Sequence, residues 1–329
     1  MTTRVFTGLK PTGQLQIGNY LGAIRPLLDL AADPDNDLLV SVADLHALTV
    51  QHDPARLRAL TLEMVATLLA CGLNARAKLF VQSSIPAHTE LSYLLESTAT
   101  YGEMARMIQF KEKSRGQESV RLSLLTYPAL MAADILAYQS EVVPVGDDQR
   151  QHLELATTLA RRFNGTYGDV FTVPRGATPA ETARVKDLRD PTTKMGKSGA
   201  AGAGVIFLRD EPDAIVAKVR RAVTDNNPTL TYDPRNRSGV ANLAVLLGAL
   251  TGSSPGAALD EIQGAAALKA AVAEALVETL APIQKRYREL TADPAELLSV
   301  LRSGAEVVAG DAVKTVANAR EAMGLLSLH

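Results

Sequence analysis

The start of the chain restricts its fold more than any other segment. An apolar run, Arg4-Val5-Phe6, enters a turn bearing Gly8 and Gly13, and residues 17–30 then recur with helical spacing. A strand handed to a helix through a glycine turn opens a crossover unit, and crossovers build parallel sheets. Residues 37–43 read as a buried strand, and residues 79–82 and 141–144 as two shorter ones. Residues 54–69 read as a helix, with Asp53 as its cap and Pro54 in its first turn. The predicted class is therefore α/β, a Rossmann-like parallel sheet whose ligands lie beyond the carboxyl ends of its strands.

The second half has a different texture. Residues 212–223, 240–251 and most of 257–329 are helix-like and rich in alanine. Leu268, Val272, Leu276, Leu280 and Ile283 form one apolar stripe at three- and four-residue spacing. Pro282 is expected to kink or end that helix, and Asp293-Pro294 to start the next. Residues 252–255 read as a loop between helices. The division falls near residues 187–191, giving a sheet domain over 1–187 and a C-terminal all-α domain over 188–329. Such a helical domain serves as a dimerisation element or as a platform for RNA, and the pattern does not choose between them.

Composition excludes several classes. The 329 residues are 47% hydrophobic, enough for a large core without covalent staples. The one cysteine, Cys71, rules out an internal disulfide and any multi-cysteine zinc or iron–sulfur site, and it fits a reducing cytoplasm. It reads as a small core residue at a helix end. No apolar stretch reaches the ~18 residues of a membrane span, and no signal-peptide core is expected at the N-terminus. His46 and His52 do not share a helical face, so no metal site is expected from them. His88 and His152 read as surface or hydrogen-bonding residues. A net charge of −2 leaves a nucleic-acid partner open, since basic residues act locally.

Two segments carry the chemistry. In Gly8-Leu9-Lys10-Pro11-Thr12-Gly13, glycines permit a tight turn and close backbone approach to a ligand. The helix opening at Ile17-Gly18-Asn19 is then expected to turn free N–H groups toward phosphate. Far along the chain, Lys194-Met195-Gly196-Lys197-Ser198 sets two ammonium groups on a glycine-bearing loop. A phosphate-cradling turn plus two mobile cations suits polyphosphate chemistry, because charge moves onto the leaving group in the transition state. Between them, Tyr127, Met131 and Asp134 share one helical face. A buried carboxylate there needs a donor, and an indole N–H, which only donates, satisfies it.

In this company the two segments resemble the signature sequences of class I aminoacyl-tRNA synthetases. Other runs narrow the match to the bacterial tryptophanyl-tRNA synthetases over nearly the whole chain. They are residues 41–49, Ile108-Gln109-Phe110-Lys111-Glu112-Lys113-Ser114, Tyr127-Pro128-Ala129-Leu130-Met131-Ala132-Ala133-Asp134, Val143-Pro144-Val145-Gly146-Asp147-Asp148-Gln149, Ala222-Val223-Thr224-Asp225 and Ser238-Gly239-Val240-Ala241-Asn242-Leu243. Gln16 and Asn19 stand where the class has histidines, and the tryptophan branch carries this Ile-Gly-Asn variant. Two departures stand out. Gly196 replaces a consensus serine, and Lys10 replaces a glutamine of many members.

The resemblance implies a catalytic set of Lys194, Lys197, Lys113, Gln16 and Asn19. It implies a tryptophan site in which Asp134 accepts the indole N–H while Phe6, Gly8, Tyr127, Met131, Val143 and Val145 shape the pocket. Tyr127 and Gln149 would hold the amino group, with His46 and Lys10 beside the carboxylate. ATP would meet Lys10, Thr12, Gly18, Asn19, Gly146, Asp148, Lys194, Met195, Lys197 and Ser198, with Mg²⁺ shared among its phosphates.

The implied activity is that of a homodimeric cytoplasmic ligase that needs no covalent nucleophile. It would activate L-tryptophan with ATP to tryptophanyl-adenylate and pyrophosphate, then transfer tryptophan to the terminal adenosine of tRNA(Trp). The helical domain would take part in reading the anticodon, while Arg286 and Arg288 read equally as a solvated face. Three alternatives share parts of this pattern. A tyrosyl-tRNA synthetase has the same fold, but the Met131–Asp134 run and the Ile-Gly-Asn turn argue against it. A non-catalytic RNA-binding paralogue would have lost a signature lysine or the turn, and both are kept. A carboxylate-activating ligase without tRNA does not explain the helical half. An auxiliary tryptophanyl enzyme with altered inhibitor sensitivity fits the same residues.

Overall fold

The computed structural model describes residues 2–73, 76–116, 118–146, 149–177, 184–196 and 202–327. Among these, five strands form one parallel sheet: β1 (Thr3–Leu9), β2 (Asn36–Val42), β3 (Lys78–Val81), β4 (Val142–Pro144) and β5 (Arg175–Ala177). Their order is β3-β2-β1-β4-β5, so strand order reverses between β1 and β4. That reversal opens a crevice at the carboxyl ends of the two strands, where ligands bind in sheets of this kind. The sequence expectation covered four of these strands. The fifth is three residues long, largely exposed and contains Gly176, so it lacks the apolar run that marks a buried strand.

The first helical segment runs as α1 (Ile17–Asn19), a wide π-turn (Tyr20–Ile24) and α2 (Arg25–Ala32). The wide turn is closed by the Arg25 N–H on the Tyr20 carbonyl, immediately before Pro26, which has no N–H to continue an ordinary ladder. Next come α3 (Pro54–Ala70), α4 (Ala87–Glu96), α5 (Tyr101–Arg106), α6 (Ile108–Ser114), α7 (Leu122–Leu136) and α8 (Arg150–Tyr167). The Asp53 carboxylate caps α3 by accepting from the Ala55 N–H at 2.7 Å, and Cys71 is buried just past its end. The second half contributes α9 (Pro212–Arg220), α10 (Ser238–Thr251), α11 (Gly264–Ala292) and α12 (Pro294–Ala322). Among the described residues no helix is long and apolar enough to cross a membrane.

Pro282 neither ends nor interrupts α11 in the assigned structure. It lies on the exposed side with Glu278, whose carbonyl loses its helical partner to the proline, while Leu276, Leu280 and Ile283 are buried opposite. The freed carbonyl lies on the exposed side of the helix, and the buried stripe opposite holds the helix together.

Side chains alternate along the strands between two cores. Val5, Val40, Leu79 and Val142 face one core, closed by α1–α3 and α9–α11; Phe6, Leu39, Phe80 and Val143 face the other, with α4, α7 and α8. The final helix returns to this second core. Val308, Ala312, Val316 and Ala319 of α12 are buried there, and at Gly304 a Cβ would stand 1.9 Å from the Leu79 carbonyl oxygen. Glycine lets α12 lie directly on the backbone of β3.

Candidate active site

Sequence neighbours of the β1 carboxyl end build one side of the crevice. Gly13 takes the left-handed conformation (φ 86°) that lets the turn reverse. Gln16 then caps α1 reciprocally with Asn19: the Gln16 side chain accepts from the Gly18 N–H, and the Asn19 Oδ1 accepts from the Gln16 N–H at 3.1 Å. The remaining donors of this first turn are also taken. Ile17 donates to the Ile206 carbonyl at 2.8 Å, and Asn19 and Tyr20 donate to the Gln16 carbonyl at 2.8 and 3.2 Å. The expected row of free N–H groups is therefore absent from this turn, because side chain and backbone satisfy it from within. Asn19, its oxygen engaged, still has amide N–H bonds to offer a ligand.

Gln16 is 4% exposed and has a second task. Its Nε2 donates to the carbonyl of Met195 at 2.9 Å, tying the turn to the lysine loop. Met195 is itself an anchor: its side chain is 1% exposed, and its N–H donates to the Val185 carbonyl at 3.2 Å. Lys194 next to it is exposed and forms an antiparallel bridge with Lys186. Lys197, Ser198 and Asp148 lie outside the described residues.

Cations gather where phosphate is expected. Lys10 follows β1 and is half-buried; burial lowers its ammonium pKa, and the charge of Lys113 lowers it further. Two positive charges this near one another are best relieved by an anion between them. Lys113, on α6, is steered by its hydrogen bond to Gln109 Oε1 at 2.9 Å. Thr12 and Gly146 are exposed at the ends of the turn and of β4, and Gln149 sits half-buried at the start of α8.

The apolar side of the crevice centres on Asp134. Tyr127, Met131 and Asp134 share α7, as their spacing required, and Asp134 is 3% exposed. Three residues face its carboxylate. His46 Nε2, from the turn after β2, lies 2.9 Å from Oδ2; Gln82 Nε2, immediately after β3, donates to both oxygens at 2.8 Å. His88 Nδ1, on α4, lies 3.2 Å from Oδ1 without the alignment of a hydrogen bond. Gln82 is oriented by its other end, since its Oε1 accepts from the Leu45 N–H at 3.0 Å. Burial lowers the His88 pKa, against the charge of Asp134, and its Nε2 lies 2.6 Å from the Tyr138 hydroxyl. A buried carboxylate braced by Gln82 selects ligands that donate.

Aromatic contacts complete the pocket wall. Phe6 stacks on Tyr138 with centroids 6.0 Å apart, and His46 meets Tyr127 edge-on at 6.0 Å. Val143 and Val145 are buried at the end of β4, and Gly8 is exposed near the end of β1. Burial pushes the Tyr127 hydroxyl up to about 12, and it lies 2.6 Å from His152 Nε2. His88 and His152 are thus buried (0% and 1% exposed), which corrects the surface half of their sequence reading. Gln82, His88, Tyr138 and His152 were not singled out as site residues. For Gln82 a signal existed, a polar residue directly after an apolar strand at its carboxyl end. A groove of about 840 Å³ between residues 228–232 and 256–264 shares no residue with this crevice.

Comparison with known proteins agrees with this arrangement. The family described as tRNA synthetases class I (W and Y) matches residues 1–281. A tryptophan–tRNA ligase 1 of Streptomyces coelicolor is 52% identical over 98% of both chains, and one of Streptomyces avermitilis is 50% identical over 98% of this chain and 99% of its own. Among solved structures, a tryptophanyl-tRNA synthetase from Mycoplasma pneumoniae superposes with a TM-score of 0.89 at 35% identity, covering 99% of both. One from Campylobacter jejuni, complexed with ADP and tryptophan, does so at 0.83 and 27%, covering 98% of this chain and 100% of its own. The chain therefore belongs to the class I tRNA synthetases of the tryptophan and tyrosine branch, among the tryptophan–tRNA ligases.

Proposed function

We propose that this chain joins L-tryptophan to tRNA(Trp) in two ATP-dependent steps. The observation that carries the substrate assignment is Asp134, a buried carboxylate that meets only donors at the floor of an aromatic pocket. Indole offers a flat apolar body with one N–H, and it takes the Oδ2 that His46 now holds. His46 then turns to the amino acid's own carboxylate, with Lys10 beside it. Tyr127 and Gln149 hold the amino group, and Phe6, Gly8, Met131, Val143 and Val145 set the shape.

A tryptophan carboxylate oxygen attacks the α-phosphorus of ATP, which enters as its magnesium complex. The bond to the bridging oxygen breaks, and pyrophosphate leaves with the electron pair. Lys194, Lys197 and Lys113 meet the growing negative charge, with Asn19, Thr12, Gly18, Gly146, Asp148 and Ser198 positioning the nucleotide. Gln16 and Met195 hold the lysine loop in place. A hydroxyl of the terminal adenosine of tRNA then attacks the activated carbonyl, and AMP departs. Phenylalanine leaves Asp134 without its donor, the kind of mismatch that buried polar sites reject most strongly.

The reading extends to assembly. Tyr93, Tyr101, Ile108 and Leu122 are 56–76% exposed on α4–α7, large apolar side chains that a homodimer would cover, and the enzyme is read as cytoplasmic. The C-terminal half, with α9–α12, offers the tRNA surface. The test is aminoacylation of tRNA(Trp) with tryptophan and with tyrosine. Charging with tryptophan alone is expected; charging with tyrosine overturns the substrate assignment. Binding is read separately, because the chain has no tryptophan of its own and substrate indole is the only indole fluorophore.

A further inference from the structure

Two runs that mark the family resemblance, residues 222–225 and 238–243, have no contact assigned in the chemistry above, yet both pack against the base of the lysine loop. Residues 185–195 form a hairpin. Asp187 N–H donates to the Thr193 carbonyl at 3.1 Å and Met195 N–H to the Val185 carbonyl at 3.2 Å, flanking the Lys186–Lys194 pair. In such a pair the bonds come from the neighbours, so the N–H and C=O of Lys186 itself point outward, where a third strand would take them. No strand does so among the described residues. Asn242 does: its Oδ1 accepts from the Lys186 N–H at 2.8 Å, and its Nδ2 donates to the Lys186 carbonyl at 2.9 Å.

The side chain is placed with little freedom. Asn242 is 5% exposed on α10. One turn earlier, a Cβ at Gly239 would stand 2.1 Å from the Val223 carbonyl oxygen, so α10 rests on the backbone of the 222–225 run. That run in turn holds the hairpin, through the Val223 N–H on the Leu188 carbonyl at 2.8 Å. Two side chains from elsewhere in the chain thus anchor the hairpin beside these backbone bonds, Gln16 at Met195 and Asn242 at Lys186. The first belongs to the nucleotide turn and the second to the helical half.

We propose that Asn242 is a positioning residue for the lysine loop, standing in for an absent strand and fixing Lys194 relative to α10. The proposal rests on the ATP-activating reading above. Asn242→Ala leaves both outward groups of Lys186 without their partner and is expected to lower kcat for ATP–pyrophosphate exchange about 10- to 100-fold, the range that misplacing a catalytic group costs. Tryptophan affinity, read by substrate fluorescence, stays within about twofold, because Asp134 and α7 are untouched. Asn242→Asp supplies a signature that simple destabilisation does not. Its carboxylate accepts from Lys186 N–H but opposes the carbonyl, whereas its protonated form restores both bonds. Its exchange rate relative to Asn242→Ala is expected to rise as pH is lowered from about 8 to about 6, where a buried carboxyl gains its proton. Trypsin cleavage after Lys194 is expected to accelerate in Asn242→Ala, measured without reference to activity.

Exchange within about twofold of the parent, tryptophan binding lost in step with exchange, or a flat pH ratio overturns the role of Asn242. If the parent neither binds tryptophan nor exchanges, the ligase reading fails instead. Cleavage then decides the placement of Asn242 alone: an unchanged rate after Lys194 refutes it.

Discussion

The side chain of Gln16 donates to the carbonyl of Met195 across 2.9 Å, joining the glycine turn of the first strand to the lysine loop 179 positions later. Both ends are buried, and the same glutamine caps the helix that opens with Ile17, Gly18 and Asn19. The turn and the loop are thus held in one frame. For Gln16→Ala we expect exchange kcat to fall about tenfold or more with tryptophan affinity retained. Steady-state exchange beside a fluorescence titration checks this; equal losses in both would show only local unfolding.

Gln82 is the internal brace of Asp134. It donates to both carboxylate oxygens and is held by the Leu45 N–H. Gln82→Met keeps the volume and removes the bonds. Loss of hydrogen bonds to a buried charge costs about 1.5–3 kcal/mol, so tryptophan should bind at least about tenfold more weakly. A substrate titration that finds unchanged affinity would remove Gln82 from the site.

Acid stability should depend on Glu103. Arg162 bonds both its oxygens, at 2.9 and 2.6 Å, and holds the carboxyl at about 2, below its ordinary 4.5. A depressed folded value means the contribution is complete above pH 4.5 and is lost as pH falls from 4.5 toward about 2. The pair remains in touch with solvent, so its worth is at most about 1 kcal/mol. Glu103→Gln should destabilise the chain at neutral pH and flatten its loss between pH 4.5 and 2, which urea titrations at several pH values would reveal.

Gly304→Ala tests the docking of α12. The added methyl would stand 1.9 Å from the Leu79 carbonyl oxygen, and neither backbone can yield like a side chain. Overpacking of this kind costs about 1–3 kcal/mol. The urea midpoint should fall accordingly, and a midpoint equal to the parent's would mean that α12 does not lie on β3.

Much of this was legible because it is local. Arg4-Val5-Phe6 with its glycine turn, the caps at Asp53 and Asp293, and the spacing of Tyr127, Met131 and Asp134 each express their structure within a few residues. What escaped depends on distant partners. Gln82, His88 and His152 acquire meaning only when β3, α4 and α8 bring them to Asp134 and Tyr127. Pro282 read as a helix breaker, because sequence does not reveal that its side of α11 is exposed. The free N–H groups expected at Ile17 vanished for a similar reason, since the Ile206 carbonyl that satisfies Ile17 comes from nearly 190 positions away.

The most direct measurement is amino-acid-dependent ATP–pyrophosphate exchange without tRNA, run with tryptophan, tyrosine and phenylalanine on the parent and on Asp134→Ala. A tryptophan ligase that reads indole through Asp134 exchanges with tryptophan alone and loses that activity in the variant. Exchange with tyrosine, or tryptophan exchange that survives Asp134→Ala, would contradict it.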